Sequence, residues 1–575
     1  NMVKPKKQLN GVSGYDHQLY IEDFKIKLDS NENLLGPSEK VVDVLKHITG
    51  NDVKFYPAYG ELISTIAGAN NVSDDMVLPT NGGDEAICYL LNTFLEEDEN
   101  IVTAVPTFVM SKIYARISNS SYKEVPYKRK WVYPIDDVLA AIDEKTKIVL
   151  VTTPNSPTGD SISEDNLLRI IEKAQAQNTL VMIDQTYGSY SERNYVSFAS
   201  KFDNVAVVRS MSKDFALAGL RLGYIISNAE NINHIKKIFN PFSVNIIAAK
   251  AGVASLKDTE HFKFVRDEIL RSKDIVTEGL KDVATVYPSD GNFLCIDFGE
   301  RAQYIYKKLL KHGIKVKFMH EGLVKNCFRV TMPSNKDAYE LVEVIKKTSK
   351  LLIFDIDGVL VDTSKSYRMA IKSTFEFFAK KELSFDKIRE AKNLGGLNND
   401  WDLTEYLLKE DGVRVPKQAI IDKFQTLYFG HGGDGLIRNE SLLISKEELE
   451  ELSKDFDLAV FTGRPKTEAE FILKYFGIYD LFSPIITMND VPEDRQKPYP
   501  DGILKIVDIV QPSETYYLGD TQDDMLAAKT AEVKGIGILP PQDKSETLKQ
   551  LMSNHQPVVI LENTKDIINY MGAIR

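Results

Sequence analysis

The chain has 575 residues, of which 43% are hydrophobic and 27% charged, and its formal net charge is −12. The length exceeds one ordinary domain, the composition excludes a disordered or fibrous protein, and the acidic balance makes nucleic acid an unsuited main partner. With three cysteines and no uninterrupted run of 18 apolar residues, we expect a cytoplasmic protein without disulfides or a membrane span.

Short apolar runs alternate along the chain with longer helical patterns, which predicts α/β layers with mostly parallel sheets. An amphipathic helical pattern ends near Lys346 and an apolar run begins at Leu351, so we expect two parts, 1–347 and 350–575. Polar residues cluster where the apolar runs end, and ligand sites of such sheets lie beyond these ends. The predicted strands lie at 101–105, 147–154, 180–187, 205–210 and 222–227, and then at 351–355, 458–463, 515–520, 535–539 and 558–562.

Two glycine-containing turns stand out in the first part. Gly82 and Gly83 precede a helical pattern that opens with Asp84, and such a turn can offer backbone N–H groups to an anion. By itself, an ordinary glycine turn before a helix cap is the more common interpretation. The segment 154–159, PNSPTG, follows a predicted strand and alone indicates only a turn.

Two further strand ends carry side chains that could bind a ligand or react with it. Asp184 and Tyr187 close the strand at 180–187, where the carboxylate could cap a helix or hold a protonated ring nitrogen; alone, the cap is favoured. Lys213 follows the strand at 205–210, with Arg221 eight positions on, an arrangement that suits Schiff-base chemistry beside a phosphate. An isolated lysine would more often be a solvated surface residue.

Together and in this order, these features resemble the fold-type I aminotransferases that use pyridoxal phosphate, most closely the histidinol-phosphate aminotransferase family. The resemblance implies a large mixed-sheet domain at about 45–250 and a small α/β domain built from both ends of 1–347. It extends over roughly residues 20–345 and includes 28–37 (LDSNENLLGP), 55–57 (FYP), 106–108 (PTF), 291–294 (GNFL, with Asn292) and 328–331 (FRVT).

The resemblance also implies a role for each matched residue. Lys213 would form the Schiff base with the cofactor and shuttle a proton, and Arg329 would receive the carboxylate of glutamate. Asp184 would pair with the pyridine nitrogen and Tyr187 with the cofactor's 3′-oxygen. The other implied cofactor residues are Ser210, Arg221, Gly83 and Asp84 at the phosphate, Phe108 on the ring, and Tyr56 at the cofactor of a second subunit, which implies a homodimer.

Three positions depart from the family pattern. Ser156 stands where the family has Asn before Pro-Thr-Gly, so the 3′-oxygen would be held by Ser156 or, with a shifted turn, by Asn155. Phe108 replaces the usual Tyr, and Gln185-Thr186 replaces the common Glu-Ala. None of these changes removes an essential group, but they loosen the assignment of a substrate.

The second part carries four polar motifs, each at or near a strand end. Asp355 and Asp357 lie two apart in an extended segment, so both carboxylates can face one site. Individually these motifs are weak evidence for a catalytic site. A DxDG segment alone fits a calcium-like loop or a turn as well as it fits a catalytic site. The other three motifs are Thr462-Gly463-Arg464-Pro465, Lys497-Pro498, and 519–524 (GDTQDD), in which Asp520 and Asp524 share a helix face if a helix begins there.

In this order the four motifs resemble the haloacid dehalogenase-like hydrolases over residues 350–575. The resemblance implies a Rossmann-like core with a helical cap of subclass I at about 364–455. Within the cap, 398–402 (NNDWD) is a candidate for substrate contact, although a helix cap beside a packed Trp explains these residues equally well.

The resemblance implies phosphate ester hydrolysis. Asp355 would attack phosphorus without a base, because a carboxylate with an ordinary pKa of about 3.9 is ionised at neutral pH. Asp357 would protonate the leaving alkoxide and then activate water, which favours monoester hydrolysis over dehalogenation. Mg²⁺ would be held by Asp355, by the backbone carbonyl of Asp357 and by Asp520, with Asp524 or Asp523 in support, and Thr462 and Lys497 would bind the phosphoryl oxygens.

These resemblances predict a bifunctional enzyme. The first part would transfer an amino group from glutamate, leaving 2-oxoglutarate, to imidazole-acetol phosphate, and the second would hydrolyse the resulting histidinol phosphate to histidinol. Two alternatives stay open. One is an aminotransferase or phospho-amino-acid decarboxylase of other specificity fused to a phosphoglycolate-type phosphatase. The other is that one part serves as a non-catalytic binding module.

Overall fold

The computed structural model describes residues 3–10, 23–397 and 399–574. The chain divides into two compact units between Lys346 and Lys347. Across the described ranges, no helix is both long and apolar enough to cross a membrane. In the first unit the strands are β1 Ile26–Leu28, β2 Val77–Thr80, β3 Asn100–Val105, β4 Ser121–Pro126, β5 Thr146–Thr152, β6 Leu180–Asp184, β7 Val205–Ser210, β8 Gly223–Ser227, β9 Thr285–Tyr287, β10 Phe293–Asp297, β11 Ile314–Phe318 and β12 Cys327–Thr331.

Thirteen α-helices connect these strands within the described part of the first unit. Several begin at a polar cap; Ser163 accepts from the Asn166 backbone and Asn245 from that of Ala248. Their bounds are α1 Glu39–Lys46, α2 Gly50–Lys54, α3 Gly60–Asn70, α4 Gly82–Phe94, α5 Met110–Ile117, α6 Ile135–Ala141, α7 Glu164–Gln175, α8 Phe198–Lys201, α9 Ala229–Ile235, α10 Ile246–Lys257, α11 Thr259–Leu280, α12 Ala302–Lys311 and α13 Asn335–Lys346.

The larger sheet of the first unit has seven strands in the order β2-β8-β7-β6-β5-β3-β4. All neighbours are parallel except β8, which is antiparallel to β2 and β7. Alternate residues of its strands enter different apolar clusters; Val149 and Val151 belong to one, Ile148 and Leu150 to the other. The sheet is therefore covered on both faces, which leaves its strand ends as the place for polar groups.

The smaller sheet joins the two ends of the first unit. Its order is β1-β11-β12-β10-β9, with β1 parallel to β11 and the remaining pairs antiparallel. Because β1 comes from the beginning of the unit and the other strands from its end, the chain between them forms the larger sheet. The predicted combination of a large mixed-sheet domain and a small α/β domain is confirmed.

The second unit contains a parallel sheet in the order β17-β16-β13-β18-β19-β20. An antiparallel pair, β14 and β15, lies outside it. The strands are β13 Lys350–Phe354, β14 Val361–Asp362, β15 Ser441–Leu442, β16 Phe456–Phe461, β17 Ile485–Ile486, β18 Glu514–Gly519, β19 Lys534–Ile538 and β20 Val559–Leu561. The helices are α14 Tyr367–Ala379, α15 Phe385–Lys392, α16 Asp400–Glu410, α17 Lys417–Tyr428, α18 Lys446–Ser453, α19 Lys466–Tyr475, α20 Asp501–Val510, α21 Gln522–Thr530, α22 Glu546–Ser553 and α23 Ile567–Ala573.

Four helices, α14 to α17, form an insertion between β14 and β15. They contact one another, whereas the next helix, α18, packs beside β16 of the parallel sheet. The expected cap range of 364–455 thus extends past the helical insertion and includes α18, because an amphipathic pattern does not reveal which sheet or helix its apolar face meets. The predicted parallel core with a helical insertion is confirmed.

Candidate active sites

The carboxyl ends of β6 and β7 hold an acid that lacks a cationic partner. The Asp184 carboxylate is buried and accepts from the Thr186 backbone N–H at 3.0 Å and from Thr186 Oγ1 at 2.7 Å. Among the described residues no basic side chain comes within 4.0 Å of it, and burial raises its pKa. A buried carboxylate of this kind is suited to a cation supplied by a ligand.

Beside Asp184, the start of α4 forms a tight turn. Gly82 has φ +80°, and a Cβ there would come within 2.6 Å of Arg221 Nη2. A Cβ at Gly223 would come within 2.8 Å of the Gly83 nitrogen. Glycine is therefore required for the backbone and the guanidinium to approach each other. The backbone N–H groups of a helix start and a guanidinium together suit a phosphate.

Hydroxyl groups and an acid complete this turn. Arg221 donates from Nη1 to Ser212 Oγ at 3.3 Å and from Nη2 to Asp84 Oδ2 at 3.1 Å. Ser210, the last residue of β7, is buried and accepts from the Ser212 backbone N–H at 3.2 Å. The predicted phosphate-binding residues thus lie together. Ser212 was not among them, although its place in the segment SMSK could have indicated it.

Lys213 and Tyr187 are connected to the N-terminal segment. Lys213 Nζ donates to the Ser30 carbonyl at 2.7 Å, and Asn31 Nδ2 donates to Tyr187 Oη at 3.0 Å. Asn292 Nδ2 donates to the Asn31 carbonyl at 2.9 Å. Ser30 and Asn31, which follow β1 of the smaller sheet, were predicted only as part of a motif. Ser30 holds the Lys213 amine, and Asn31 holds the Tyr187 hydroxyl.

Ser156 contacts the predicted substrate arginine. Arg329, on β12, donates from Nη1 to Ser156 Oγ at 3.2 Å and from Nη2 to the Asp29 carbonyl at 2.6 Å. Ser156 thus stands beside the guanidinium at the position where the expected pattern had Asn.

The side chain of Asn155, in contrast, is engaged within its own loop. It donates to the Pro106 carbonyl at 2.9 Å and to Thr158 Oγ1 at 2.7 Å, and it accepts from Thr107 Oγ1 at 2.8 Å. Both of its amide ends are therefore used to brace the loop. Of the two residues predicted for the 3′-oxygen, Asn155 thus has its amide engaged in the loop, whereas Ser156 contacts Arg329.

Two aromatic residues of the predicted site are accessible. Tyr56 is 78% exposed and stacks on Phe242 with ring centroids 4.3 Å apart. Phe108 is 37% exposed in the loop after β3. Among the described residues, no hydrogen bond joins the Tyr56 hydroxyl to Asp184 or Lys213. The exposure of Tyr56 leaves its ring available to a second subunit.

The residues of this first site fit pyridoxal phosphate. The buried carboxylate of Asp184, which has hydrogen bonds from Thr186 but no cationic partner among the described residues, suits a protonated pyridine nitrogen. The Gly82 turn with Arg221 suits a phosphate. Lys213 supplies an amine and Tyr187 a phenol to the same site.

The second site is a cluster of acids at the carboxyl ends of β13 and β18. Asp355 follows β13, is buried, and accepts from Lys497 Nζ at 2.7 Å. Lys497 also pairs with Asp524 at 2.8 Å. Burial raises the pKa of Asp355 to about 6, partly opposed by Lys497. Asp355 therefore remains ionised at neutral pH, as a nucleophile requires.

Three carboxylates of this cluster could hold a cation. Oxygens of Asp355, Asp520 and Asp524 lie within 4.8 Å of one another, and burial together with the neighbouring acids raises the pKa of Asp520 to about 8. Because like charges at this distance repel, a divalent cation suits them. Glycine is needed at Gly358, where a Cβ would lie 2.2 Å from Asp520 Oδ2.

Asp524 also fixes the start of α21. Its Oδ2 accepts from the backbone N–H groups of Asp520 and Thr521 and from Thr521 Oγ1, forming a capping box. Tyr517 Oη donates to Oδ1 at 2.9 Å, and these contacts with Lys497 lower the pKa of Asp524. The predicted carboxylates of Asp355, Asp520 and Asp524 thus lie close together. Through its hydrogen bonds to the backbone, Asp524 mainly holds the loop that carries Asp520.

Asp357 is held by Arg464, a residue for which we predicted no separate role. Arg464 donates to Asp357 Oδ1 from Nε at 2.7 Å, pairs with Glu440 at 3.1 Å, and donates to Tyr428 Oη at 2.9 Å. The Arg464 side chain is fully buried. Its place in the segment TGRP was visible, but its partners are supplied from the helical insertion and from β13.

The remaining predicted residues lie around these acids. Thr462 is buried after β16, and its Oγ1 accepts from the Arg464 backbone N–H at 3.2 Å. Asp523 faces the insertion, where its Oδ2 accepts from the Gly396 N–H at 2.8 Å. Asn399 caps α16, as the capping interpretation expected, and Asp402 pairs with Lys417 at 2.8 Å. Asn398 lies outside the described residues.

Comparison with known proteins agrees with this division. The aminotransferase class I and II family matches residues 24–347, and the haloacid dehalogenase-like hydrolase family matches residues 352–538. The chain belongs to the aminotransferase class I and II family and carries a haloacid dehalogenase-like hydrolase domain after it. The predicted fusion of these two domains is confirmed.

The first unit is similar to proteins named histidinol-phosphate aminotransferase. The one from Clostridium novyi is 30% identical over 338 residues, covering 56% of this chain and 92% of its own. That from Methanococcus aeolicus is 31% identical over 56% of this chain and 90% of its own. A crystal structure from Sinorhizobium meliloti, in complex with pyridoxal-5′-phosphate, shares the fold with a TM-score of 0.53 at 22% identity, over 60% of this chain and 98% of its own.

Proposed function

We propose that the protein is a bifunctional enzyme that transfers an amino group from glutamate to imidazole-acetol phosphate and hydrolyses the histidinol phosphate so formed. Support comes from the two complete sets of groups: Lys213, Asp184 and Arg221 in one unit, and Asp355, Lys497 and Asp520 in the other. The single observation that carries the proposal is that each set converges at strand ends of its own sheet.

In the first unit, each residue has a task in transamination. Pyridoxal phosphate, when bound, supplies an electron sink for the pair released at the substrate Cα. The Lys213 amine moves the proton between the substrate Cα and the cofactor's C4′. The Asp184 carboxylate holds a proton on the ring nitrogen, and the buried environment that raises its pKa strengthens this ion pair.

The other groups of the first unit orient the reactants. Tyr187, held by Asn31, donates toward the 3′-oxygen, and we assign the same role to Ser156, whose Oγ also accepts from Arg329. Arg329 offers its guanidinium to the carboxylate of glutamate, a pairing that this planar group makes in two parallel hydrogen bonds. We also propose that Tyr56 completes the site of a partner subunit in a homodimer, since its ring is exposed.

In the second unit, hydrolysis proceeds by two displacements at phosphorus. The Asp355 carboxylate attacks phosphorus while Asp357 gives its proton to the leaving alkoxide; water activated by Asp357 then releases phosphate from Asp355. Thr462 and Lys497 stabilise the negative charge on the phosphoryl oxygens. Asp355, Asp520 and the backbone carbonyl of Asp357 would hold Mg²⁺, which would reduce the repulsion between the nucleophile and the phosphate dianion.

The identity of the substrate is supported by the relatives named histidinol-phosphate aminotransferase. The test supplies the full chain with imidazole-acetol phosphate, glutamate, pyridoxal phosphate and Mg²⁺, and measures 2-oxoglutarate, histidinol and phosphate. We expect all three products. The Lys213→Ala variant should form neither 2-oxoglutarate nor histidinol from this mixture, yet still release phosphate from added histidinol phosphate. Formation of neither histidinol nor 2-oxoglutarate by the wild type would refute the substrate assignment.

A further inference from the structure

A cavity lies over the catalytic acids of the second unit, and its outer wall comes from the helical insertion. The catalytic side is formed by residues that include Asp355, Asp357 and Asp520. The insertion contributes apolar walls, Leu397 and Trp401, and two charged groups, Lys392 and Asp400. A phosphate bound to the acids would point its alcohol portion toward these four residues.

Asp400 is the carboxylate of this wall that remains available. It is the first residue of α16, and within the described chain its carboxylate takes part in no hydrogen bond and in no ion pair within 4.0 Å. Its neighbours are engaged: Asn399 Oδ1 accepts from the Asp402 backbone, and Asp402 pairs with Lys417 at 2.8 Å. Burial raises the pKa of Asp400 to about 6, so it carries its charge at neutral pH.

Lys392 lies in the same wall as Asp400 and carries the opposite charge. Its ammonium is favoured most by Asp520, at the phosphate end of the cavity, and next by Asp400, and its charge in turn partly opposes the rise in the pKa of Asp400. Among the described residues, no ion pair within 4.0 Å joins Lys392 to Asp400. The Asp400 carboxylate therefore keeps room for a cation on the alcohol portion, while Lys392 also balances the acids at the phosphate end.

We propose that Asp400 binds an ammonium group on the alcohol portion of the phosphate ester, so that the second unit selects amino-alcohol phosphates. The inference rests on the proposed phosphatase function. It names the property by which the substrate is selected: an ammonium group pairs with Asp400 while the apolar walls exclude water. An uncharged ester offers Asp400 no opposite charge and so binds less tightly.

This selection orders the two proposed reactions. Transamination converts an oxo group into an amine on the same phosphate ester. A phosphatase that requires the amine spares the oxo ester until the first unit has used it, and thereby prevents loss of the starting material. The enzyme would need no direct transfer between its units to keep this order.

The test uses three phosphates that differ only at C2: 2-aminopropyl phosphate, 2-hydroxypropyl phosphate and 2-oxopropyl phosphate. Hydrolysis by the full-length enzyme with Mg²⁺ is measured as kcat/KM. We expect the amine to exceed the other two by about 10- to 100-fold, which is the range for one hydrogen-bonded charge. The Asp400→Asn variant should lose this preference through a lower kcat/KM for the amine, with the alcohol changed less than about threefold.

Two matched variants control for folding. Asp402→Asn removes a carboxylate two residues away that does not line the cavity, and it should keep the preference for the amine. Asp400→Glu retains the charge and should keep a reduced preference. Equal treatment of the three esters by the wild type, or an equal loss for all three in Asp400→Asn, would overturn the assignment. Failure of the wild type to hydrolyse any ester would instead refute the phosphatase function itself.

Discussion

Arg464 donates two hydrogen bonds to one oxygen of Asp357, from Nε at 2.7 Å and from Nη2 at 2.5 Å, while its side chain is fully buried. Glu440 holds the same guanidinium from the other side at 3.1 Å and accepts from Ser366 Oγ at 2.7 Å. The proposed proton donor is therefore fixed by a residue that does not itself face the cavity. Arg464 acts as a positioning residue.

The Arg464→Lys variant should lower kcat for alkyl phosphates by about 100-fold, the usual lower contribution of a positioned acid. Lysine keeps the charge but not the fork that holds the carboxylate. The informative comparison is 4-nitrophenyl phosphate, whose leaving group needs no proton and whose kcat should fall less than about tenfold. Equal losses for both esters would show a general structural effect instead.

Asp355→Asn should reduce phosphate ester hydrolysis by at least about 1,000-fold, because the amide cannot attack phosphorus. Transamination by the same full-length variant should be unchanged, since every residue of the first site lies in the other unit. The two activities are measured in parallel, as phosphate release and 2-oxoglutarate formation. Retained hydrolysis would remove Asp355 from the role of nucleophile.

Asp184→Asn should reduce transamination by at least about 100-fold, because an amide does not keep the ring nitrogen protonated. Thr186→Val, which removes only the hydroxyl that donates to Asp184 at 2.7 Å, is the graded control and should cost less than about tenfold. The initial rate with glutamate measures both. If the two variants lose activity equally, Asp184 has no special electrostatic role.

Mg²⁺ should stabilise the second unit, because the cation relieves repulsion among Asp355, Asp520 and Asp524 in the folded state alone. We expect the unfolding temperature of this unit to rise as Mg²⁺ is added, and EDTA to abolish phosphate release while transamination continues. In Asp520→Asn the rise should be smaller. No rise in the wild type would contradict a cation site at these acids.

Glu468→Gln should make stability less dependent on pH. Burial raises the pKa of Glu468 from 4.5 to about 7, while Tyr367 and Arg464 partly oppose the shift. The folded state thus binds more protons than the unfolded state between these values, so the free energy of unfolding falls as pH rises from about 4.5 to 7, by up to about 3 kcal/mol. The variant should lack this part of the decline.

The measurement for Glu468 uses urea unfolding at pH 5 and pH 8. The chain has two tryptophans, and Trp401 packs against the core of the second unit. In a Trp131→Phe background, tryptophan fluorescence therefore follows this unit alone. An equal decline from pH 5 to pH 8 with and without the Glu468 substitution would show that this carboxyl does not govern the dependence.

Residues at strand ends could be predicted from sequence, because a buried strand brings its last residue to a fixed edge. Asp184, Lys213 and Asp355 all follow such runs. Contacts made across long separations could not. Asn31 contacts Tyr187, 156 residues later in the chain, and Arg464 contacts Asp357, 107 residues earlier. No local sequence pattern predicts these contacts. Likewise, the side chains of the neighbouring residues Asn155 and Ser156 have different partners, and only the folded loop determines which partner each one has.

The pairing of β1 with β11 has a consequence for how the protein is made. Asn31 donates through its backbone N–H to Thr331 Oγ1, 300 residues later in the chain. At ordinary rates of synthesis, β1 emerges from the ribosome roughly 15 to 60 s before the strands of the small sheet that lie about 300 residues later. β1 is therefore made well before it can be paired, and in the interval its apolar residues must be shielded from other chains.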